Sequence, residues 1–299
     1  MKKFKLSGFL QITPIVFLLL AIGFFGLMRA NAATKVSLGT ADNFAVLAGS
    51  AITNTGSSVI NGDLGITPGT SITGFPEGVI NGLTQVANPA AVQAQVDLTT
   101  AYLNLSGQTP VSTIPTELGG TTQMPGIYDS ADGTFAITGA LTLDGQGDPD
   151  AVFIFKTATT LITDGASTIS LINGVQACNV FWYVGSSATL GANSVFKGNI
   201  ITFTSATLTT GANVEGRVLA RNGAVTLDSS TVTKAVCAAP VVPVIVEPTP
   251  IVTSTPVVII ELPVATTTPI VTPATSSTPT PVVISAPAFP NAGIAPSGK

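Results

Sequence analysis

The densest group of chemically competent side chains is LDGQGDPD, residues 143–150, where Asp144, Asp148 and Asp150 place three carboxylates within seven positions. Paired carboxylates serve general acid–base chemistry and glycoside hydrolysis, and clustered ones hold calcium. Neither reading is favoured here. Asp among Gly and Pro builds turns by bonding to its own backbone, and the spacing matches no recognised calcium loop. The chain has no histidine, and no nucleophile lies beside a base. No enzyme activity, cofactor or metal is therefore expected. The two cysteines, Cys178 and Cys237, read as a disulfide if the chain is exported; two free buried thiols are the alternative. What remains is hydroxyl chemistry. In SATLTTGANVEGRVLARNGAVTL, residues 205–227, threonines and small residues return at near-fixed spacing with few charges between them.

Composition narrows the partners. Of 299 residues, 45% are hydrophobic and only 9% charged, against about a quarter charged in ordinary soluble domains. Nucleic-acid binding needs a basic footprint, and none is present. The first thirty residues read as an export signal: MKKFK, then the apolar run ITPIVFLLLAIGFFGLM, then Ala30 and Ala32 in an A-x-A-like pattern. A signal peptide over 1–32, cut near Ala32, is expected; an uncleaved membrane anchor is the alternative. Either places the remainder outside the cytoplasm, secreted or at the cell surface. Residues 33–299 carry seven basic and fifteen acidic side chains, a net charge of −8. No second stretch is apolar enough for long enough to span a bilayer.

The elements that position the hydroxyls follow from periodicity. Ala188, Ala206 and Ala224 are 18 apart, as are Gly198 and Gly216, and Ala140 and Ala158 in ALTL and ATTL; Ile60 and Ile80, in two VING segments, are 20 apart. Short β-type runs at that period, punctuated by Gly, Asn and Asp, predict a β-solenoid with about three strands per coil. Alternation along a strand sends Ala206, Leu208, Ala212, Val214, Val218 and Ala220 inward. It sends Thr207, Asn213, Glu215 and Leu219 outward. NIITFTS and NVFWYVG are apolar on both sides, so that column is covered on both. The cover is predicted to be a helix over 88–106, capped by Asn88 with Pro89 in its first turn. Val92, Val96, Thr99 or Thr100, and Leu103 form its expected apolar stripe. After Cys237 the text turns to Pro, Thr and Val. Residues 238–299 read as an extended stalk or tail, of a composition that also suits O-glycosylation. FPNAG, at 289–293, faintly echoes a sorting signal but lacks the hydrophobic segment and basic tail. The folded domain is therefore 34–237.

The stretch from CNVFWYVGSSATLGANSVFKGNIITFTS through ATLTTGANVEGRVLARNGAVTLDSSTVT, residues 178–233, resembles the signature region of the DUF3494 ice-binding proteins. FAVLAGSAITNTG (44–56), DLTTAY (97–102), PGIYD (125–129) and DPDAVFIFK (148–156) match in order. The resemblance covers essentially all of 34–237. It implies a discontinuous right-handed β-solenoid of triangular section, with one long α-helix along one face. It also implies an exported protein, monomeric, that adsorbs to ice through one flat Thr/Ser/Ala-rich face and inhibits ice growth and recrystallisation. The family's T-A/G-x-T/N motif is matched by TGAN at 210–213; LGAN at 190–193 and DGAS at 164–167 depart from it, implying a less regular ice face. From the repeats, a column of Thr142, Thr160, Thr189, Thr207 and Thr226 is expected. A neighbouring face offers Thr210, Asn193, Asn213, Ser229 and Thr231, but also Lys197 and Glu215. The candidate ice-binding residues are Thr189, Thr207, Thr209, Thr210, Asn213 and Thr226. The rival reading is a cell-surface adhesin or structural β-helix protein, which the tail also suits as an attachment to a wall or surface.

Overall fold

The structure, a computed structural model, describes residues 33–109 and 111–238. The export signal expected over 1–32, and all but Ala238 of the tail expected over 238–299, lie outside the described residues.

Every strand pairing is parallel, and the strands stack in three columns. The first column runs Val79–Asn81, Val59–Asn61, Thr231–Thr233, then the front halves of Asn213–Ala220 and Val195–Thr202, then Thr168–Ile172, Ala140–Asp144 and Thr122–Gln123. The second runs Thr84–Val86, Asp63–Ile66, Phe44–Ala48, the back halves of the same two long strands, Val180–Val184, Phe153–Thr157, Gly126–Ser130 and Ser112–Ile114. The third runs Ser71–Thr73, Ala51–Thr55, Val225–Asp228, Ala206–Leu208, Ala188–Leu190, Leu161–Thr163 and Phe135–Ile137. The chain visits all three columns before returning one rank further on. Stacking does not follow chain order throughout: the N-terminal strands pair beyond the C-terminal ones, Ala51–Thr55 on Val225–Asp228 and Val59–Asn61 on Thr231–Thr233.

Two of the predicted repeats are confirmed as register partners, Gly198 with Gly216 and Ile60 with Ile80. Gly198 and Gly216 mark the bend at which one long strand passes from the first column to the second, and both have positive φ, 113° and 151°. A Cβ on Gly216 would lie 1.8 Å from the Gly198 carbonyl oxygen, so no larger residue fits. Other repeats drift. Ala188 pairs with Ala206, but Ala206 pairs with Val225 rather than Ala224, because one extra residue sits in the intervening turn. Ala140 and Ala158 are unrelated: Ala140 pairs with Thr168 in the first column, whereas Ala158 follows a second-column strand.

Inward side chains of all three columns form one apolar interior. Within it Tyr128, Phe155 and Trp182 stack along successive ranks, with centroids 5.3 and 4.2 Å apart. The Trp182 indole N–H, which burial would otherwise leave unsatisfied, donates to the Lys197 carbonyl at 3.1 Å.

The second column is covered on its outer side, as its doubly apolar strands required. Leu47, Ile154, Phe181, Ile201 and Leu219 lie buried beneath one helix, Pro89–Gly107. The Asn88 side chain caps it by accepting from the Ala91 N–H at 3.0 Å. Lys156 closes the other end, its ammonium donating to the Ser106 and Gln108 carbonyls where the helix dipole favours a cation. The expected stripe is corrected. Val92, Val96 and Leu103 are 47%, 55% and 61% exposed, while Ala91, Ala94, Leu98, Ala101, Tyr102 and Leu105 are buried. The buried row also has helical spacing, and its alanines let the helix axis approach a sheet already crowded with Phe and Ile. A row of valines would hold it off.

The N-terminal segment locks onto this layer. Arg217, nearly fully buried, donates to the Asp42 carbonyl and to Asn199 Oδ1 and pairs with the Asp42 carboxylate at 2.8 Å. Burial lowers the pKa of its guanidinium, opposed by Asp42. Thr40 donates its N–H and its hydroxyl to Asp97 on the helix, both at 2.7 Å, and these bonds hold the Asp97 carboxyl below its ordinary pKa. Cys178 and Cys237 are bonded, with Cα atoms 5.5 Å apart.

Candidate functional site

With the middle of the second column covered by the helix, the outer sides of the first and third columns are the broad sheet faces open to solvent among the described residues. They differ in character. The outer side of the first column carries Val79, Val59, Thr231, Asn213 and Val195 in one register row. The next row carries Asn81, Asn61 and Thr233 joined by side-chain hydrogen bonds, and then the Glu215–Lys197 ion pair. Charges stand in the middle of that surface.

On the outer side of the third column the charges are confined to the margins: Asp228, at the end of its strand two residues past Thr226, and Glu117, bridged to Ala136 at the far rank. The column's strands are mostly three residues long with buried ends and one central outward residue, as in Ala206–Thr207–Leu208. Register places Thr73, Thr53, Thr226, Thr207 and Thr189 directly beside one another on five successive ranks, followed by Ile162 and Ala136. At roughly 4.8 Å per rank the five threonines span about 19 Å. None of the five hydroxyls bonds to another protein group among the described residues, so each is available to water. β-branching stiffens each side chain at its first torsion, and the ladder fixes the backbone beneath it. The result is a straight, regularly spaced row of hydroxyl and methyl groups.

Several hydroxyls flanking this row are engaged, whereas those of Ser71 and Thr55 make no bond among the described residues. On one side Ser205 donates its N–H to the Ser187 hydroxyl, Ala224 donates its N–H to the Ser205 hydroxyl, and Thr134 and Thr160 bond to each other. On the other side, at the turn into the first column, the Thr210 hydroxyl is bonded to the Asp228 carboxylate, and Thr138 donates to Glu117 and Asp164. Desolvation raises the pKa of Glu117, but the N–H groups of Thr138 and Gly119 and the Thr138 hydroxyl outweigh it and hold the carboxyl below its ordinary value. The acids thus stand at the margins of the third face, Asp228 beside Thr226 and Glu117 beyond Ala136, and none lies between the five threonines.

The six candidate residues separate accordingly. Thr189, Thr207 and Thr226 stand together in the free ladder. Thr209 does not: its hydroxyl donates to the Leu190 carbonyl at 2.7 Å. Thr210 is held by Asp228 at the corner, and Asn213 belongs to the charged first column. The expected column also changes. Thr142 lies in the first column, between Thr122 and Ser170, and Thr160 is in the flanking row. Their places in the ladder are taken by Thr53 and Thr73. The signal for these two was present, since AIT and SIT share the apolar–Thr alternation of AVT and SAT. Missing was the knowledge that the N-terminal coils stack past the C-terminal end.

The sequence profile of the family described as Ice-binding-like matches residues 46–233. An ice-binding protein of Nostoc sp. (strain HG1) is 49% identical over 209 residues, covering 69% of this chain and 77% of that one. One from Flammulina populicola is 32% identical over 250 residues, covering 75% of this chain and 100% of the other. Among solved structures, an ice binding protein from an Antarctic Biological Consortium superposes with a TM-score of 0.68 at 44% identity, covering 70% of this chain and 95% of that one. The ice-binding protein of the Antarctic ascomycete Antarctomyces psychrotrophicus gives 0.64 at 45% identity, covering 67% and 98%.

Proposed function

The chain belongs to the Ice-binding-like family and has its ice-binding, antifreeze function; from that premise we propose that it adsorbs to ice through the outer side of the third column. The observation that carries this reading is the uninterrupted row Thr73–Thr53–Thr226–Thr207–Thr189 with free hydroxyls and no charged residue within the row, the acids Asp228 and Glu117 standing at its margins. Each hydroxyl holds a water, and the adjacent methyl limits the orientations open to that water. Stiff side chains on a paired backbone have little entropy left to lose on contact. Individually weak contacts act together because each is already positioned by its neighbour. Adsorbed protein then pins the advancing front and opposes growth and recrystallisation. No covalent step is involved.

Support for the finer architecture comes from the three in-register columns and the out-of-order stacking: we read the head as a discontinuous right-handed solenoid of triangular section. We read the N-terminal segment as an export signal that carries the head outside the cytoplasm, and propose that the head acts as a monomer with the tail as its attachment. The full chain, fluorescently labelled at a cysteine added near its C-terminus, should decorate defined planes of a growing single ice crystal. A crystal that stays dark while the labelled protein remains folded would remove the proposal.

A further inference from the structure

The ladder does not end where the column ends. Two more ranks, Leu161–Thr163 and Phe135–Ile137, continue the third column in register, and their outward residues are Ile162 and Ala136. Ile162 is paired directly with Thr189 and is 44% exposed. Its neighbours Leu161 and Thr163 are buried, so the side chain points outward on the same row as the threonines. Ile and Thr share a β-branched base and the same torsional stiffness. They differ in two ways: Ile lacks the hydroxyl, and its extra methyl extends one further bond above the row.

Resting on the reading of the third column as the ice-contacting surface, we propose that Ile162 is the residue that terminates it. The side chain forms a step of one carbon at the edge of an otherwise level row and offers no donor or acceptor to ordered water. Ice lying flat on Thr189 therefore meets the terminal methyl of Ile162 before it reaches Ala136. Contact is confined to the five ranks from Thr73 to Thr189, although the scaffold beneath is seven ranks long. Ile162 limits how much of the built platform is used.

The test is a gain of function, which misfolding cannot imitate. Ile162→Thr removes the step and supplies the sixth hydroxyl; Ile162→Val removes the step alone. One added hydrogen-bonded contact is worth roughly 1 kcal/mol. The protein concentration giving half-maximal recrystallisation inhibition should accordingly fall roughly fivefold for Ile162→Thr, and by less for Ile162→Val. Ile162→Thr combined with Ala136→Thr should lower it further. Unchanged or weaker inhibition by folded Ile162→Thr overturns the proposal, since Ile162 would then be neutral or a contributing apolar contact. Thr226→Lys, measured in parallel, separates this from failure of the underlying reading. Loss of activity in Thr226→Lys without gain in Ile162→Thr sinks only the boundary role; full activity in Thr226→Lys sinks both.

Discussion

Replacing Thr226 with Lys perturbs the middle of the ladder, between Thr53 and Thr207. Its side chain makes no hydrogen bond within the described protein and is only half-buried, so loss of the native group should change folding stability by no more than about 0.5 kcal/mol. The surface changes far more. A strongly hydrated ammonium on a four-carbon stem stands above the row and divides five contiguous contacts into two pairs. If each contact contributes about 1 kcal/mol, adsorption by five in concert exceeds that by an isolated pair by about 3 kcal/mol, or roughly 100-fold in concentration. Thermal hysteresis and recrystallisation inhibition read the loss, and a calorimetric melt of the same preparation reads the fold. Thr226→Ser, which keeps the hydroxyl, should stay within a few-fold of the parent. A folded Thr226→Lys protein that still inhibits recrystallisation at the parent concentration would refute the assignment of this face. Loss of activity together with a lowered melting temperature would show instead that Thr226 acts through stability.

Other expectations follow from the supporting structure. The Cys178–Cys237 bond closes a loop of 59 residues' separation, for which chain entropy predicts about 4 kcal/mol of stabilisation; Cys237→Ser should lose most of this in urea unfolding, and reduction of the parent should reproduce it. Arg217→Leu leaves Asn199 Oδ1 and the Asp42 carbonyl without their donor, a loss of about 2–4 kcal/mol visible as a lower midpoint with the ice face unaltered. Asp97 and Glu117 both have depressed folded pKa values, so the stability they contribute is complete above the unfolded carboxylate range, about 4, and is lost as pH falls through the folded values. Melting temperature should be level from about pH 5 to 8 and fall in acid, and Asp97→Asn should flatten part of that fall.

Much of this was legible in the residues. Alternation in SATL and RVLAR placed Leu208 and Val218 inside, and the doubly apolar NIITFTS and NVFWYVG demanded the cover that the helix from Pro89 provides. Asn88 and Pro89 announced that helix locally. Strand alternation and capping are short-range physics, decided within a few residues and hence visible in one dimension. Which side of the helix is buried was not so decided. Val92, Val96 and Leu103 satisfy helical periodicity as well as Ala91, Ala94, Leu98 and Leu105 do, and only the crowded sheet beneath favours the smaller row.

The functional row shows the same division. That Thr189, Thr207 and Thr226 would align was set by near-constant spacing along the chain. That Thr53 and Thr73 complete the row, and that Thr142 is absent from it, depends on which strand lies next to which. Stacking the N-terminal coils beyond the C-terminal ones joins residues more than 170 positions apart, and no local pattern encodes that choice. Nor can residue type alone distinguish a threonine whose hydroxyl is engaged by Leu190 or Asp228, as at Thr209 and Thr210, from one left to water. Hydrogen-bond availability is a property of neighbours, and the folded chain assigns the neighbours.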